Sequence, residues 1–322
     1  MGRALLRLLI SKESELRRKY DVRWRLTGIA TRRCGWIAEP DGLNPIAALS
    51  SHFPAIGNPP RNVREWLERS KADVLFEASS LNTQSGQPAI DHLVAALEAG
   101  AHAISANKGP LVHDYQRLAA LAKAKGKQFL FESTVMDGVP IFSLFDQLPA
   151  IHLQGFHGIL NSTINVILGE MEQGLPFDAA LKKAQELGVA ETDAGHDVDG
   201  WDAAVKTAAL ITVLMDVPVR LEDIQREGIR DLTTEALRNA RRDGWPFKLV
   251  CRARRVGDGV KASVAPEKVL ASSPMGKISG TSSYVYFETD IFPGLAITEE
   301  NPGLYATAYG MLADLVRAVR GM

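Results

Sequence analysis

The chain has 322 residues, enough for two cores at the usual ~100–200 residues per domain. Its 46% hydrophobic and 23% charged residues are those of a soluble globular protein, and a formal net charge of −1 excludes nucleic acid or an anionic membrane surface as the main partner. Cys34 and Cys251 are too few for a disulfide framework and lack zinc-site neighbours, and no stretch reaches the ~18 apolar residues of a membrane span, so the expectation is a cytoplasmic protein with reduced thiols.

Leu5, Leu8, Leu9 and Leu16 recur at helical spacing, so the chain opens in a helix. Arg7, Lys12 and Glu13 interrupt this start and no small-residue cleavage site follows, which argues against a signal peptide. Trp24 to Thr31 is predicted as a strand, followed by a broken stretch with Gly35, Pro40, Gly42 and Pro45. Val63 to Ser70 reads as a helix, and Ala72 to Ala78 as a strand buried on both faces. The alternation continues through the helix Ala89 to Ala99, the strand Ala101 to Ala106, the helix Asp114 to Lys125 and the strand Gln128 to Glu132. Strands alternating with helices predict an α/β fold, a doubly wound parallel sheet of Rossmann type. Its ligand crevice lies at the carboxyl ends of the strands, where Ser79, Ser80, Asn107, Lys108 and Glu132 fall.

After about residue 140 the texture changes. A strand at Gly155 to Leu160 precedes helices at Thr163 to Gln173, Phe177 to Leu187 and Gly200 to Met215. Val250 to Arg254, Val260 to Val264 and Ser282 to Glu288 read as antiparallel strands, and Tyr305 to Val319 as a final helix. The expected division is a parallel α/β domain at 1–135, completed by a C-terminal helix at 303–322, and an inserted α+β domain at 136–302.

Four motifs resemble the homoserine dehydrogenase family. They are Ser105-Ala106-Asn107-Lys108-Gly109, the run Glu132 to Pro140 (ESTVMDGVP), the run Gly158 to Asn165 (GILNSTIN), and the block Ala184 to Lys206 (AQELGVAETDAGHDVDGWDAAVK). They occur in the family's order over about 100 residues. The resemblance implies interconversion of aspartate semialdehyde and homoserine with a nicotinamide cofactor, in threonine and methionine biosynthesis. It makes the domain at 1–135 the nucleotide-binding domain and the one at 136–302 the catalytic and dimerisation domain. Two alternatives stand beside it: a related amino-acid dehydrogenase, and a non-catalytic remnant without cofactor binding.

Asp202 and Lys206 are four apart, so on a helix they share a face. On spacing alone they are a solvated surface pair. The resemblance instead makes Lys206 the catalytic lysine and Asp202 its substrate-associated aspartate, as suits a carbonyl oxygen that gains charge when hydride reaches carbon. Lys108, past a buried strand, is the second catalytic candidate, with an exposed loop lysine as the plain alternative. Ser162 and Thr163 head a helix, where free N–H groups favour an anion. By resemblance they hold the amino acid together with Glu191 and Asp197, although Thr163 also suits a simple helix cap. Ser162 stands where the family has glycine. The carbonyls of Glu132, Val135, Asp137 and Val139 map onto the family's monovalent-cation site, for Na+ or K+. His196 beside Asp197 and Asp199 does not have the spacing of a calcium loop.

The family begins with a strand and G-x-G-x-x-G, of which Gly2 matches only the last glycine, so the Rossmann sheet is expected to be incomplete at its N-terminus. Arg32 and Arg33, after the second strand of such a fold, favour NADP(H) over NAD(H). Gly2, Arg32, Arg33, Ser79, Ser80, Asn107 and Lys108 are therefore the expected cofactor residues. The resemblance implies association through strands of the inserted domain, and the alternating run Ser282 to Glu288 suits a sheet shared between subunits, so a homodimer is expected.

Overall fold

In the computed structural model, which describes residues 1–51, 53, 58–190 and 193–321, the chain forms two units: Met1–Pro140 with Leu304–Met322, and Ile141–Gly303. In chain order the first unit holds α1 (Gly2–Tyr20), β1 (Gly28–Thr31), β2 (Gly35–Ala38), α2 (Pro45–Leu49), α3 (Val63–Ser70) and β3 (Val74–Glu77). It continues with α4 (Ala89–Glu98), β4 (His102–Ser105), α5 (Gly109–His113), α6 (Tyr115–Lys125), β5 (Phe129–Leu130) and a 3-10 turn at Glu132–Thr134. The second unit holds α7 (Phe142–Asp146), β6 (Leu153–Ile159), α8 (Ser162–Glu172), α9 (Phe177–Glu186), α10 (Gly195–Val198) and α11 (Trp201–Leu214). After these come β7 (Gln225–Arg226), α12 (Thr234–Arg242), β8 (Phe247–Val256), β9 (Gly259–Lys268), β10 (Ser283–Thr289) and β11 (Leu295–Glu299). The chain returns to the first unit in α13 (Leu304–Arg320).

The parallel sheet of the first unit has the order β3-β4-β5, with Glu77 opposite Ser105 at the carboxyl end. Side chains alternate across β3 because a strand has period two. Val74 and Phe76 join the cluster that Ala4, Leu5 and Leu9 of α1 form with Met311, Leu312 and Leu315 of α13. Leu75 packs instead with Trp66 of α3 and Ala95 and Ala96 of α4. Helices thus cover both faces, which is the doubly wound arrangement.

The predicted strand Trp24 to Thr31 is shorter than expected, and part of the predicted loop is a strand. β1 and β2 form an antiparallel hairpin with Thr31 opposite Gly35, in a sheet of their own. Gly35, at φ 67°, takes the left-handed position that closes a three-residue hairpin loop. Arg32, Arg33 and Cys34 are that loop.

The second unit is built on a six-stranded sheet of order β11-β10-β6-β8-β9-β7, antiparallel except for the β7–β9 pair. β10 lies between β11 and β6, with Tyr284 opposite both Thr298 and Ile159. Both edges of β10 are therefore paired within the chain. A sheet continued into another subunit through the run Ser282 to Glu288 is excluded, and β11 is the outer strand on that side. α11 is apolar nearly all round and buries Ala203 to Val205 and Thr207 to Thr212. Among the described residues no helix is long and apolar enough to cross a membrane.

Candidate functional site

In the second unit, β6 runs through Leu160 and Asn161 directly into α8. Asn161 is the N-cap: its Oδ1 accepts from Ile164 N at 2.8 Å, satisfying one of the helix's unpaired donors. The other end of the same amide donates to Asp197 Oδ1 at 2.7 Å and to Asp202 Oδ2 at 3.0 Å. One buried side chain thus ties the start of α8 to an aspartate on α10 and another in the first turn of α11.

Lys206 lies one turn along α11 from Asp202, as the spacing required. Its Nζ donates to the Leu160 carbonyl at 2.7 Å and lies 3.3 Å from Asp202 Oδ2. Both side chains are only 17–18% exposed, which removes the solvated-surface reading of the pair. A fixed carbonyl and carboxylate thus hold the ammonium in one place. Cys251, fully buried on the β8 side of α11, has its thiol pushed up to about 11 by burial.

Thr163 is not the cap. It lies inside α8, and its hydroxyl donates to the Val189 carbonyl at 2.6 Å. Ser162 Oγ donates to the Thr281 carbonyl at 2.9 Å. Each hydroxyl keeps its oxygen lone pairs. Glu191 lies outside the described residues. Asp199, next to this constellation, pairs with Arg230, whose guanidinium holds the carboxyl below its usual range.

In the first unit, four of the expected cofactor residues, Ser79, Ser80, Asn107 and Lys108, follow the carboxyl ends of β3 and β4. Asn107 is buried; its Nδ2 donates to the carbonyls of Ser79 and Ser80 at 3.3 and 3.4 Å, and its Oδ1 accepts from Gly109 N at 3.0 Å. Lys108 follows as the residue preceding α5. The hairpin loop comes to the same place, with Arg32 Nη2 donating to Ser80 Oγ at 3.0 Å. Arg33 is exposed in the loop, and its backbone N–H is held by Thr31 Oγ1 at 3.3 Å. Gly2 stands at the exposed start of α1, where an added Cβ would meet no atom within 4 Å, so packing does not demand glycine there. Glu77, at the end of β3, accepts from Ser79 N and pairs with His92 Nδ1 at 2.5 Å.

The turn from Glu132 to Val139 wraps the side of α13. Asp137 is left-handed at φ 47°, and its carboxylate is taken by the Thr307 hydroxyl. Gly138 is in backbone contact with α13: a Cβ there would fall 2.3 Å from the Ala306 carbonyl oxygen. Asp314 of α13 is fully buried and accepts from Glu132 N at 2.8 Å. Burial, with the Glu132 carboxylate adding to it, pushes its carboxyl up to about 7. The Asp137 side chain is thus committed to α13.

The sequence reading missed Asn161 as a site residue, although it sits inside the motif Gly158 to Asn165. It also missed Leu160, whose contribution is a carbonyl, and Asp314. Only Asn161 carried a signal: an Asn directly before a helix is a favoured cap.

A parallel sheet with a polar cluster at its strand ends, joined to an α+β unit with a carbonyl-aimed lysine, defines a nicotinamide-dependent oxidoreductase of the Rossmann type. The family model for the homoserine dehydrogenase NAD-binding domain matches residues 1–132, and the homoserine dehydrogenase model matches residues 140–316. The chain belongs to the homoserine dehydrogenase family. It is 31% identical to the NAD(+)-dependent homoserine dehydrogenase of Pseudomonas canavaninivorans, over 98% of this chain and 92% of that one. It is 33% identical to the homoserine dehydrogenase of Methanocaldococcus jannaschii, over 98% of this chain and 95% of that one. Among solved structures it is similar to the homoserine dehydrogenase of Thiobacillus denitrificans, with TM-score 0.82 and 29% identity over 99% of this chain and 70% of that one. A hyperthermophilic archaeal homoserine dehydrogenase mutant in complex with NADPH gives TM-score 0.80 at 25% identity, over 100% of this chain and 95% of that one.

Proposed function

We propose that the chain interconverts L-aspartate 4-semialdehyde and L-homoserine in threonine and methionine biosynthesis, in the cytoplasm, with NADP(H) preferred over NAD(H). The observation that carries the catalytic assignment is Lys206, half-turned into the protein by the Leu160 carbonyl and Asp202 at the junction of β6 and α8. When bound, the nicotinamide supplies the hydride to the aldehyde carbon, or accepts it in the reverse direction. Lys206 stabilises the charge that develops on the carbonyl oxygen and hands that oxygen its proton; Lys108 is the second catalytic candidate. Asp202 holds Lys206 in aim, and Asn161 holds Asp202. Asp197 and Glu191 take the substrate ammonium, and the lone pairs and amides at Ser162 and Thr163 hold the rest of the amino acid.

The cofactor assignment rests on the strand-end cluster of Ser79, Ser80, Asn107 and Lys108, and on Arg32, which reaches Ser80. An exposed arginine pair at the end of the hairpin suits a 2′-phosphate, whereas a carboxylate there would suit free ribose hydroxyls. Gly2, at the start of α1, is assigned to the same cofactor. The NAD(+)-dependent relative sets the opposing expectation. We assign a monovalent cation, Na+ or K+, to the carbonyls of Glu132, Val135, Asp137 and Val139. A homodimer completes the reading, with any shared sheet continued through an outer strand, β11 or β7, since β10 has no open edge.

The test is steady-state oxidation of L-homoserine with each cofactor, in the wild type and in Glu191→Ala. Turnover with NADP+ and a raised KM for homoserine in the variant are expected. A variant with unchanged KM and lowered kcat would move Glu191 from the ammonium to the chemistry.

A further inference from the structure

The second unit holds a cavity of about 210 Å³ that the proposed chemistry does not use. It lies between α8, α12, β8 and the turn at Ser279 and Gly280, and its lining includes none of Asn161, Asp197, Asp202 or Lys206. Two opposite charges are buried in its wall. Lys248, on β8, is 4% exposed; its Nζ donates to Asn165 Oδ1 at 3.1 Å and to the Ile278 carbonyl at 2.6 Å. An ammonium has three donors, so one N–H is left beyond these two. Glu172, on the last turn of α8, has a side chain only 10% exposed. Its Oε2 is 3.7 Å from Arg241, while its Oε1 is buried with no hydrogen-bond partner among the described residues.

A carboxylate oxygen shut away from water without a donor is costly, and such groups in native proteins are satisfied by something. Burial pushes the Glu172 carboxyl up and the Lys248 ammonium down, so both charges are held at a cost that a bridging ligand would lower. The wall carries two cations, Lys248 and Arg241, and one anion. A simple amine would meet two positive groups. A simple anion would leave Glu172 Oε1 without a donor. A molecule with both an ammonium and a carboxylate complements both signs of charge in the wall. At about 30 Å³ for each water-sized occupant, the cavity has room for about seven, the size of a small α-amino acid.

We propose that this cavity is a second small-molecule site that binds a zwitterionic α-amino acid, its ammonium on Glu172 and its carboxylate on Lys248 and Arg241. Asn165 ties the site to its surroundings, since its Nδ2 donates to the Gly280 carbonyl at 2.9 Å while its Oδ1 receives Lys248. α8, which carries Glu172 at one end, carries Ser162 and Thr163 at the other.

The test is calorimetric titration of the full chain with L-alanine, and with ethylamine and propionate as the counterparts bearing one charge each. L-alanine lacks the terminal hydroxyl that a homoserine dehydrogenase would oxidise. Expected are binding of L-alanine, at least about tenfold weaker binding of both counterparts, and at least about a tenfold rise in Kd in Glu172→Gln and in Arg241→Gln. Arg241 is 53% exposed at the rim, so its variant folds even where Glu172→Gln does not. Asp197→Asn should leave the alanine Kd unchanged, and loss of binding there would assign the ligand to the catalytic constellation and overturn a second site. Absence of alanine binding, or propionate binding as tight as alanine, also overturns the proposal. Neither result touches the assignment of Lys206.

Discussion

Replacing Lys206 by Met keeps most of the apolar stem and removes the ammonium, so it isolates charge from packing. The group removed is one preorganised donor, fixed by a carbonyl at 2.7 Å and a carboxylate at 3.3 Å. Loss of one such donor at a developing oxyanion costs about 10²–10³ in kcat, roughly 2.7–4 kcal/mol. KM for homoserine should change far less, because the charge is mostly absent in the ground state. The fold should tolerate the change. Asp202 keeps the Asn161 amide at 3.0 Å, so the group left short is the Leu160 carbonyl, at about 1–3 kcal/mol. That is less than the ~5–15 kcal/mol by which domains are usually stable. The assay is steady-state oxidation of homoserine at saturating cofactor, with circular dichroism melting to confirm folding. Asp202→Asn acts on the same group, so the double variant should lose less than the sum of the two. A folded Lys206→Met enzyme with near-normal kcat refutes the assignment and leaves Lys108 as the cation to test.

Changing Arg32 and Arg33 together to Ala should weaken NADPH binding about tenfold or more relative to NADH by fluorescence titration, and an unchanged ratio removes them from the cofactor site. Asn161→Ala should lower both the melting temperature, through loss of a cap worth about 1 kcal/mol, and kcat; Asn161→Asp should restore the cap but not kcat, because it sets a third carboxylate beside Asp197 and Asp202. His157, stacked on Tyr286 at 4.9 Å, has its pKa lowered by burial and then by Arg252, so the folded chain takes the proton later than the unfolded one. Stability should therefore fall as pH drops through the ordinary histidine range, and His157→Gln should flatten that part of the melting profile; identical profiles would refute it.

How far the sequence carried these conclusions depended on whether the deciding interaction was local. The parallel unit was legible because strands buried on both faces are short apolar runs, as in Ala72 to Ala78, and the helices between them end at Gly100 and Gly126. The hairpin was missed because Gly35 reads as a loop residue, whereas its left-handed backbone is what turns β1 back onto β2. The run Ser282 to Glu288 was correctly read as a strand, but its neighbours are not written in its own pattern. Only the register with Ile159 and Thr298 shows that both its edges are taken.

The same distinction divides the site. Asp202 and Lys206 lie one helical turn apart, so their pairing follows from spacing, and only its burial had to come from the structure. Asn161 acts on Asp197 and Asp202, 36 and 41 residues further on, and no local pattern reveals that reach. Its role follows from a junction: only Leu160 and Asn161 separate β6 from α8, so a cap residue for one element also lies just past the strand. That position obliges the amide to divide itself, its oxygen going to the helix and its nitrogen to the aspartates. The carbonyl just before it, that of Leu160, is left to Lys206. A helix N-terminus, two carboxylates and an ammonium are thereby fixed by two consecutive residues. Disturbing the cap and disturbing the lysine should accordingly be coupled, which the Asn161 and Lys206 variants measured together would show as non-additive losses in kcat.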